Sequence, residues 1–172
     1  MNIQSVPYGH PDAVKLNDEV QAEYVERYGD PDLTVMDPTH FEPPRGLYLL
    51  AYDAQGRPVA SGGWRSQERS EEGHADGDAE IKRMFVVREV RGQGLARRIL
   101  AALEDSARAA GRQRMVLETG TEQPEAIALY TSCGYVPITK FGLYRFEDSS
   151  RCYGKPLAQA AAGSSAEDAT GA

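Results

Sequence analysis

Cysteine is scarce: Cys133 and Cys152 are the only two in 172 residues. Two thiols so far apart form neither a disulfide framework nor a Cys-rich zinc site, so reduced thiols in a cytoplasmic protein without a bound metal are expected. No apolar run approaches the length that crosses a bilayer, and Met1 to Pro7 lacks the basic and apolar segments of a secretory leader, so no membrane partner is expected. Basic residues are in the minority, with 19 Lys and Arg against 26 Asp and Glu and a formal charge of -7. Such a chain does not neutralise phosphate backbones, and no nucleic acid is expected as partner. The acid excess suits a cationic ligand and equally suits mere solubility.

What is present is the size of one globular domain, placed at 1–157, with enough apolar content (41%) to bury a core. From 158 to 172 the chain turns to Ala, Gly and Ser with scattered acids, which bury too little to offset ordering entropy, so that tail is expected to be disordered.

Leu16, Val20, Tyr24 and Tyr28 recur every four residues and stop at Gly29, the pattern of an amphipathic helix with a glycine terminator. Prolines at 31, 38, 43 and 44 forbid long regular structure from Asp30 to Gly46, a segment placed to border a cleft. Leu47 to Tyr52 and Pro58 to Trp64, joined by Asp53-Ala54-Gln55-Gly56, read as a hairpin. Ser66 to Asp78 reads as a solvated loop with His74 incidental on its surface. Strands are then expected at Ala79 to Val87, Arg114 to Thr119, Tyr135 to Thr139 and Arg151 to Leu157. Helices are expected at Leu95 to Ala110 and Pro124 to Ser132.

The segment Val86-Val87-Arg88-Glu89-Val90-Arg91-Gly92-Gln93-Gly94-Leu95-Ala96-Arg97-Arg98 runs from a strand through a glycine turn directly into a helix. Bare backbone, unpaired first-turn N–H groups and the positive end of the helix dipole suit a diphosphate, and Arg91, Arg97 and Arg98 add charge. No Gly-Lys-Ser/Thr follows, and the spacing is not that of a dinucleotide fingerprint, which leaves a different phosphate ligand; ATP at this turn is the weaker alternative.

Arg91-x-x-Gly94-x-Ala96 resembles the Q/R-x-x-G-x-G/A signature with which the GNAT superfamily holds the pyrophosphate of acetyl-CoA. Gln123-x-x-Ala126-x-x-Leu129-Tyr130-x-x-Cys133-Gly134-Tyr135 resembles its N-x-x-A-x-x-L-Y-x-x-x-G-F, with Gln123 for Asn and Tyr135 for Phe. The likeness covers Ala79 to Tyr135 in detail and residues 1 to 46 only in outline. It implies an α/β fold: a mixed, mostly antiparallel twisted sheet of six to seven strands with helices on both faces. It further implies an acetyltransferase using acetyl-CoA as co-substrate, with the homodimers common in that family. The acceptor expected is a primary amine of a small molecule, with an amino-acid-like compound as one form; a peptide acceptor or a non-catalytic acyl-CoA-binding module are the alternatives.

The resemblance assigns roles to residues. Met84, Phe85 and Val86 would offer main-chain groups to the pantetheine arm and thioester. Arg91, Gly92, Gln93, Gly94, Leu95, Ala96 and Arg97 would surround the pyrophosphate, with Gln123 and Ala126 beside the cofactor. Tyr130 would protonate the departing thiolate. Glu80 is the candidate base, since a carboxylate in a covered strand is unusual unless it faces a cleft; the alternative is pairing with Lys82 or Arg83. Tyr24, Tyr28, Trp64, Arg65, Glu118, Thr119, Phe141 and Tyr144 are candidates for the acceptor pocket, Arg65 for a carboxylate and Glu118 for an ammonium.

Overall fold

The computed structural model describes residues 1–157, so the tail expected over 158–172 lies outside the described residues. Seven strands form one sheet in the order β1-β2-β3-β4-β5-β7-β6. They are β1 (Asn2–Ser5), β2 (Gly46–Tyr52), β3 (Pro58–Gln67), β4 (Asp78–Val86), β5 (Arg114–Gly120), β6 (Val136–Pro137) and β7 (Ser150–Pro156). The helices are α1 (Pro11–Tyr28), α2 (Leu95–Ala109) and α3 (Pro124–Ser132). All strand pairs are antiparallel except β4 with β5. This is the mixed, mostly antiparallel arrangement that the family resemblance implies.

Strand alternation distributes the helices over two faces. Along β2, Leu49 and Ala51 enter the cluster built on α2, while Tyr48 and Leu50 enter the one built on α1. The α2 stripe of Leu95, Ile99, Leu100, Leu103 and Ala107 is buried at helical spacing and packs into the larger core against strand residues such as Leu49, Val59 and Met115. On the other face, Ala13 and Leu16 of α1 pack with Phe41 from a 3₁₀ turn at Pro38–Phe41 in the proline-rich segment. α1 begins where the His10 ring accepts the Asp12 amide at 3.1 Å and ends at Gly29.

Three local expectations are corrected. β1 was not anticipated, because its mostly exposed polar residues carry no apolar alternation. The strand expected at Tyr135 to Thr139 shrinks to Val136–Pro137, where proline has no N–H to continue the ladder. β3 and β4 reach into the segment read as loop, and His74 is buried against Phe141, ring centroids 4.8 Å apart.

The feature that creates a site is the short contact between the two parallel strands. Asp78, Ala79 and Glu80 pair with Arg114, Met115 and Val116, and there the ladder ends although both strands continue. The shared end is pinned by Arg114, whose Nε and Nη2 donate to the two carboxylate oxygens of buried Asp78 at 2.9 and 3.0 Å. Beyond it β4 bulges: Lys82 pairs with Gly63 and Phe85 with Ser61, so that Arg83 and Met84 together face Gly62. Arg83 has φ 60°, an unfavourable conformation for a side-chain-bearing residue. It is held there by the Ser61 hydroxyl donating to its carbonyl at 2.9 Å and by its own Nη1 donating to Asp32 at 2.7 Å.

Candidate active site

The gap between the diverging strands is a cavity of about 350 Å³. One wall is β4 from Ile81 to Met84, another is β5 from Leu117 to Gly120, and α3 closes the end with Gln123, Ala126 and Tyr130. Tyr24 and Tyr28 of α1, Asp30 to Asp32, and Tyr144 to Ser150 in part complete the lining. At Gly120 a Cβ would collide with the Tyr28 hydroxyl, so a side chain there would displace the Tyr28 ring. That hydroxyl donates to Gln123 Oε1 at 3.3 Å, tying α1 to the start of α3.

Glu118 is the distinctive group. Alternation puts Met115 and Leu117 into the α2 core, so Val116 and Glu118 share the opposite face, where Val116 packs on Phe141. Its Oε2 is buried without a hydrogen-bond partner among the described residues. Burial pushes its carboxyl up from the ordinary 4.5 to about 7; Lys82 opposes the shift, and Glu80, Asp32 and Glu72 reinforce it. Strand β5 thus delivers a carboxyl that titrates near neutrality to the cavity wall.

Tyr130 reaches the same cavity from the other face, where it packs edge-on against Tyr135 with centroids 5.7 Å apart. Burial, reinforced by Tyr24 and Cys133, raises its hydroxyl well above the usual phenol range, so it stays protonated at neutral pH. No side chain or carbonyl among the described residues bonds that hydroxyl.

Glu80 stands elsewhere. It is 3% exposed, lies outside the cavity lining, and accepts Arg65 Nε at 3.0 Å and Gln67 Nε2 at 2.9 Å on one oxygen. Burial raises its pKa, but Lys82, Arg65, Gln67 and His74 together bring it below the ordinary carboxylate value. The pairing anticipated with Lys82 or Arg83 goes instead to Arg65, because Lys82 Nζ and Arg83 Nη1 both reach Asp32, at 3.2 and 2.7 Å. Arg65 is therefore not a cavity cation. Trp64 is also removed from the pocket: it faces α2, in the core, where its Nε1 donates to Ser106 at 3.1 Å. Phe141 is buried in a small cluster with Val116 and Cys152.

The glycine turn between β4 and α2 fits a diphosphate. Gly92 and Gly94 have φ of 82° and 80°, and Gly94 is the N-cap of α2. Among the described residues no backbone N–H from Gly92 through Gln93, Leu95 and Ala96 to Arg97 bonds a carbonyl; the first helical bond is donated by Arg98 to Gly94. That row of unengaged amides at a helix N-terminus is a ready anion cradle. The arginines around it are already engaged. Arg91 donates to Val86 O at 2.8 Å and to Glu23 of α1 at 2.9 Å, and Arg97 Nη2 to Ser132 Oγ at 2.6 Å. Met84 and Val86 pack on the α2 core, while Phe85 lies on the α1 side beneath the Arg91 guanidinium.

A model of the acetyltransferase (GNAT) family matches residues 13–135. The chain belongs to that family. Over 81 residues it is 44% identical to a protein of Azospirillum brasilense named IAA acetyltransferase, covering 47% of this chain and 53% of that one. Over 109 residues it is 30% identical to Escherichia coli K12 YjgM, named as an uncharacterized N-acetyltransferase, covering 63% and 62%. The chain thus spans between half and two thirds of the length of these curated relatives. Among solved structures it resembles a Klebsiella pneumoniae protein provisionally described as an acyl-CoA N-acyltransferase, with a TM-score of 0.73, 31% identity and coverage of 91% and 97%. In this GNAT chain no helix among the described residues is long and apolar enough to cross a membrane. No group of three or more His, Cys, Asp and Glu among them could hold a metal.

Two residues that matter were missed or misassigned from sequence. Asp32, organiser of Lys82 and Arg83, sat in a proline-rich stretch that read only as loop. Glu118 was noted as an ammonium-binding candidate, but its position two residues beyond the last paired residue, Val116, is set by where the strands part and left no signal in the sequence.

Proposed function

We propose that this chain transfers the acetyl group of acetyl-CoA to a primary amine of a small molecule by direct attack within a ternary complex. Glu118 carries the reading: a carboxyl raised to about 7, with one unpartnered oxygen, in the wall of a cavity that Tyr130 also lines. An alkylammonium with a pKa of about 10 is only about a thousandth free amine at neutral pH, a deficit of roughly 4 kcal/mol. A base titrating near 7 is matched to removing that proton, and Glu118 replaces Glu80 in this role.

Acetyl-CoA supplies the thioester. The amides from Gly92 to Arg97 bind its pyrophosphate, with Arg91 and Arg97 alongside, and the edge of β4 that β5 leaves unpaired, through Met84, Phe85 and Val86, aligns the pantetheine arm. Main-chain N–H groups of that edge stabilise negative charge as it grows on the carbonyl oxygen. Glu118 accepts the ammonium proton, the amine nitrogen bonds the carbonyl carbon, the carbon–sulfur bond breaks as Tyr130 gives its proton to the departing sulfur, and the second proton shed by the nitrogen as it becomes an amide restores the Tyr130 hydroxyl.

Thiol release from acetyl-CoA, measured over a panel of amines with wild type, Glu118→Gln and Tyr130→Phe, tests the reading. Amine-dependent release that falls in both variants supports it. Acetyl-CoA binding without release from any amine overturns catalysis in favour of a binding module.

A further inference from the structure

Building on that reading, the charges of the cavity specify the acceptor more narrowly. Four carboxyls line it, those of Asp30, Asp32, Glu118 and Glu147, against two cations, Lys82 and Arg83. Both cations are ion-paired with Asp32. Asp30, Glu118 and Glu147 have no ion-pair partner among the described residues, and exposed Asp30 and Glu147 put unpaired negative charge on the solvent-facing part of the wall. The arginine that a substrate carboxylate would seek, Arg65, is buried on Glu80 outside the cavity.

A second, independent observation points to a ligand with hydrogen-bonding nitrogens. Ser150 is 4% exposed, lines the cavity, and its hydroxyl has no partner among the described residues. It stands across from Gly120 in the β5–β7 ladder, next to the Glu118–Cys152 pair and on the same face as Glu118. Glu118 Oε2 and Ser150 Oγ are thus two buried polar atoms without a hydrogen-bond partner on one face of the β5–β7 pair, both on residues that line the cavity, and an unmet buried polar atom is costly unless something fills its valence.

We propose that the acceptor is an amine carrying at least one further cationic nitrogen: Glu118 and Ser150 receive the reacting nitrogen, and Asp30 and Glu147 hold the second ammonium. That second nitrogen keeps its proton and takes no part in bond making. Tyr28 and Tyr144, which also line the cavity, flank the alkyl stretch between the two. An acceptor with a carboxylate in that place meets Asp30 and Glu147 as like charges, so the pocket rejects amino acids as well as selecting diamines.

Three acceptors matched in length decide the matter: 1,4-diaminobutane, 1-aminobutane and 4-aminobutanoate, assayed at saturating acetyl-CoA with isothermal calorimetry of acetyl-CoA alongside. The expected order of kcat/KM is diamine, then monoamine, then aminobutanoate, with at least tenfold between first and second. The exposed pair Asp30→Asn with Glu147→Gln is expected to compress that advantage to threefold or less, and Ser150→Ala to raise KM for all acceptors. Equal use of diamine and monoamine, or preference for aminobutanoate, overturns the assignment while leaving N-acetylation standing. Bound acetyl-CoA with no acetylated product from any amine overturns the underlying reading and this one with it. Should the double variant not fold, the wild-type ranking decides alone.

Discussion

Arg65 Nε lies 3.0 Å from Glu80 Oε1, both side chains less than a tenth exposed, at the last register position shared by β4 and β5. A buried ion pair broken on one side leaves an uncompensated charge. Glu80→Ala is expected to destabilise the protein by about 3–5 kcal/mol in chemical denaturation. Adding Arg65→Met should recover much of that loss. The lowered Glu80 carboxyl contributes stability above its ordinary value of 4.5, lost as pH falls through the folded-state value, so the variant and wild type should converge in acid. A Glu80 variant that stays stable and loses only turnover would return the base role to it.

Glu118→Gln should do the opposite. Loss of a positioned base is expected to lower turnover by about 10²–10⁴-fold. In wild type kcat/KM should rise on its acid limb with an apparent pKa near 7, and that limb should vanish in the variant. The folded state prefers the protonated carboxyl, so its contribution to stability is fully present below the ordinary 4.5 and is lost as pH rises through about 7. Thermal melting at pH 8 should therefore find Glu118→Gln more stable than wild type, and at pH 4 no more stable.

For Tyr130→Phe, turnover with acetyl-CoA should fall about 100-fold, the lower end of the range for a positioned acid, with little change in melting temperature. The small stability change follows because no partner among the described residues bonds the hydroxyl, while the ring keeps its edge contact with Tyr135. Full turnover at every pH would assign the residue to packing.

At Gly94, φ of 80° is a region that alanine occupies at a cost of roughly 1–2 kcal/mol. Gly94→Ala should lose about that much stability and weaken acetyl-CoA binding in calorimetry by at least tenfold, as the cap amides rotate off the pyrophosphate. Unchanged affinity would separate the turn from the ligand.

Local elements were legible because their signals are local. The four-residue recurrence of Leu16, Val20, Tyr24 and Tyr28 ending at Gly29 marks α1, and Pro124 with Gly134 brackets α3. The two signatures located the glycine turn before α2 and the helix that carries Tyr130. What alternation could not reveal is where two parallel strands part. Glu80 and Glu118 occupy the same face of neighbouring strands and look equivalent in one dimension. The ladder ends between them, leaving Glu80 under Arg65 and Glu118 on open space. Arg65 and Trp64 were misjudged for a related reason: a strand-end position suggests exposure, but β3 runs on to Gln67 and both are covered.

The short β4–β5 contact also divides the sheet. Strands β1 to β4 and strands β5, β7 and β6 are two leaves joined at a spine only three residue pairs long, with Asp78 and Arg114 as the stitch at its foot. A ligand lying between the leaves touches both, so its arrival stiffens the joint without refolding either, and the slowest-exchanging amides of the bound protein should appear along Asp78 to Glu80 and Arg114 to Val116.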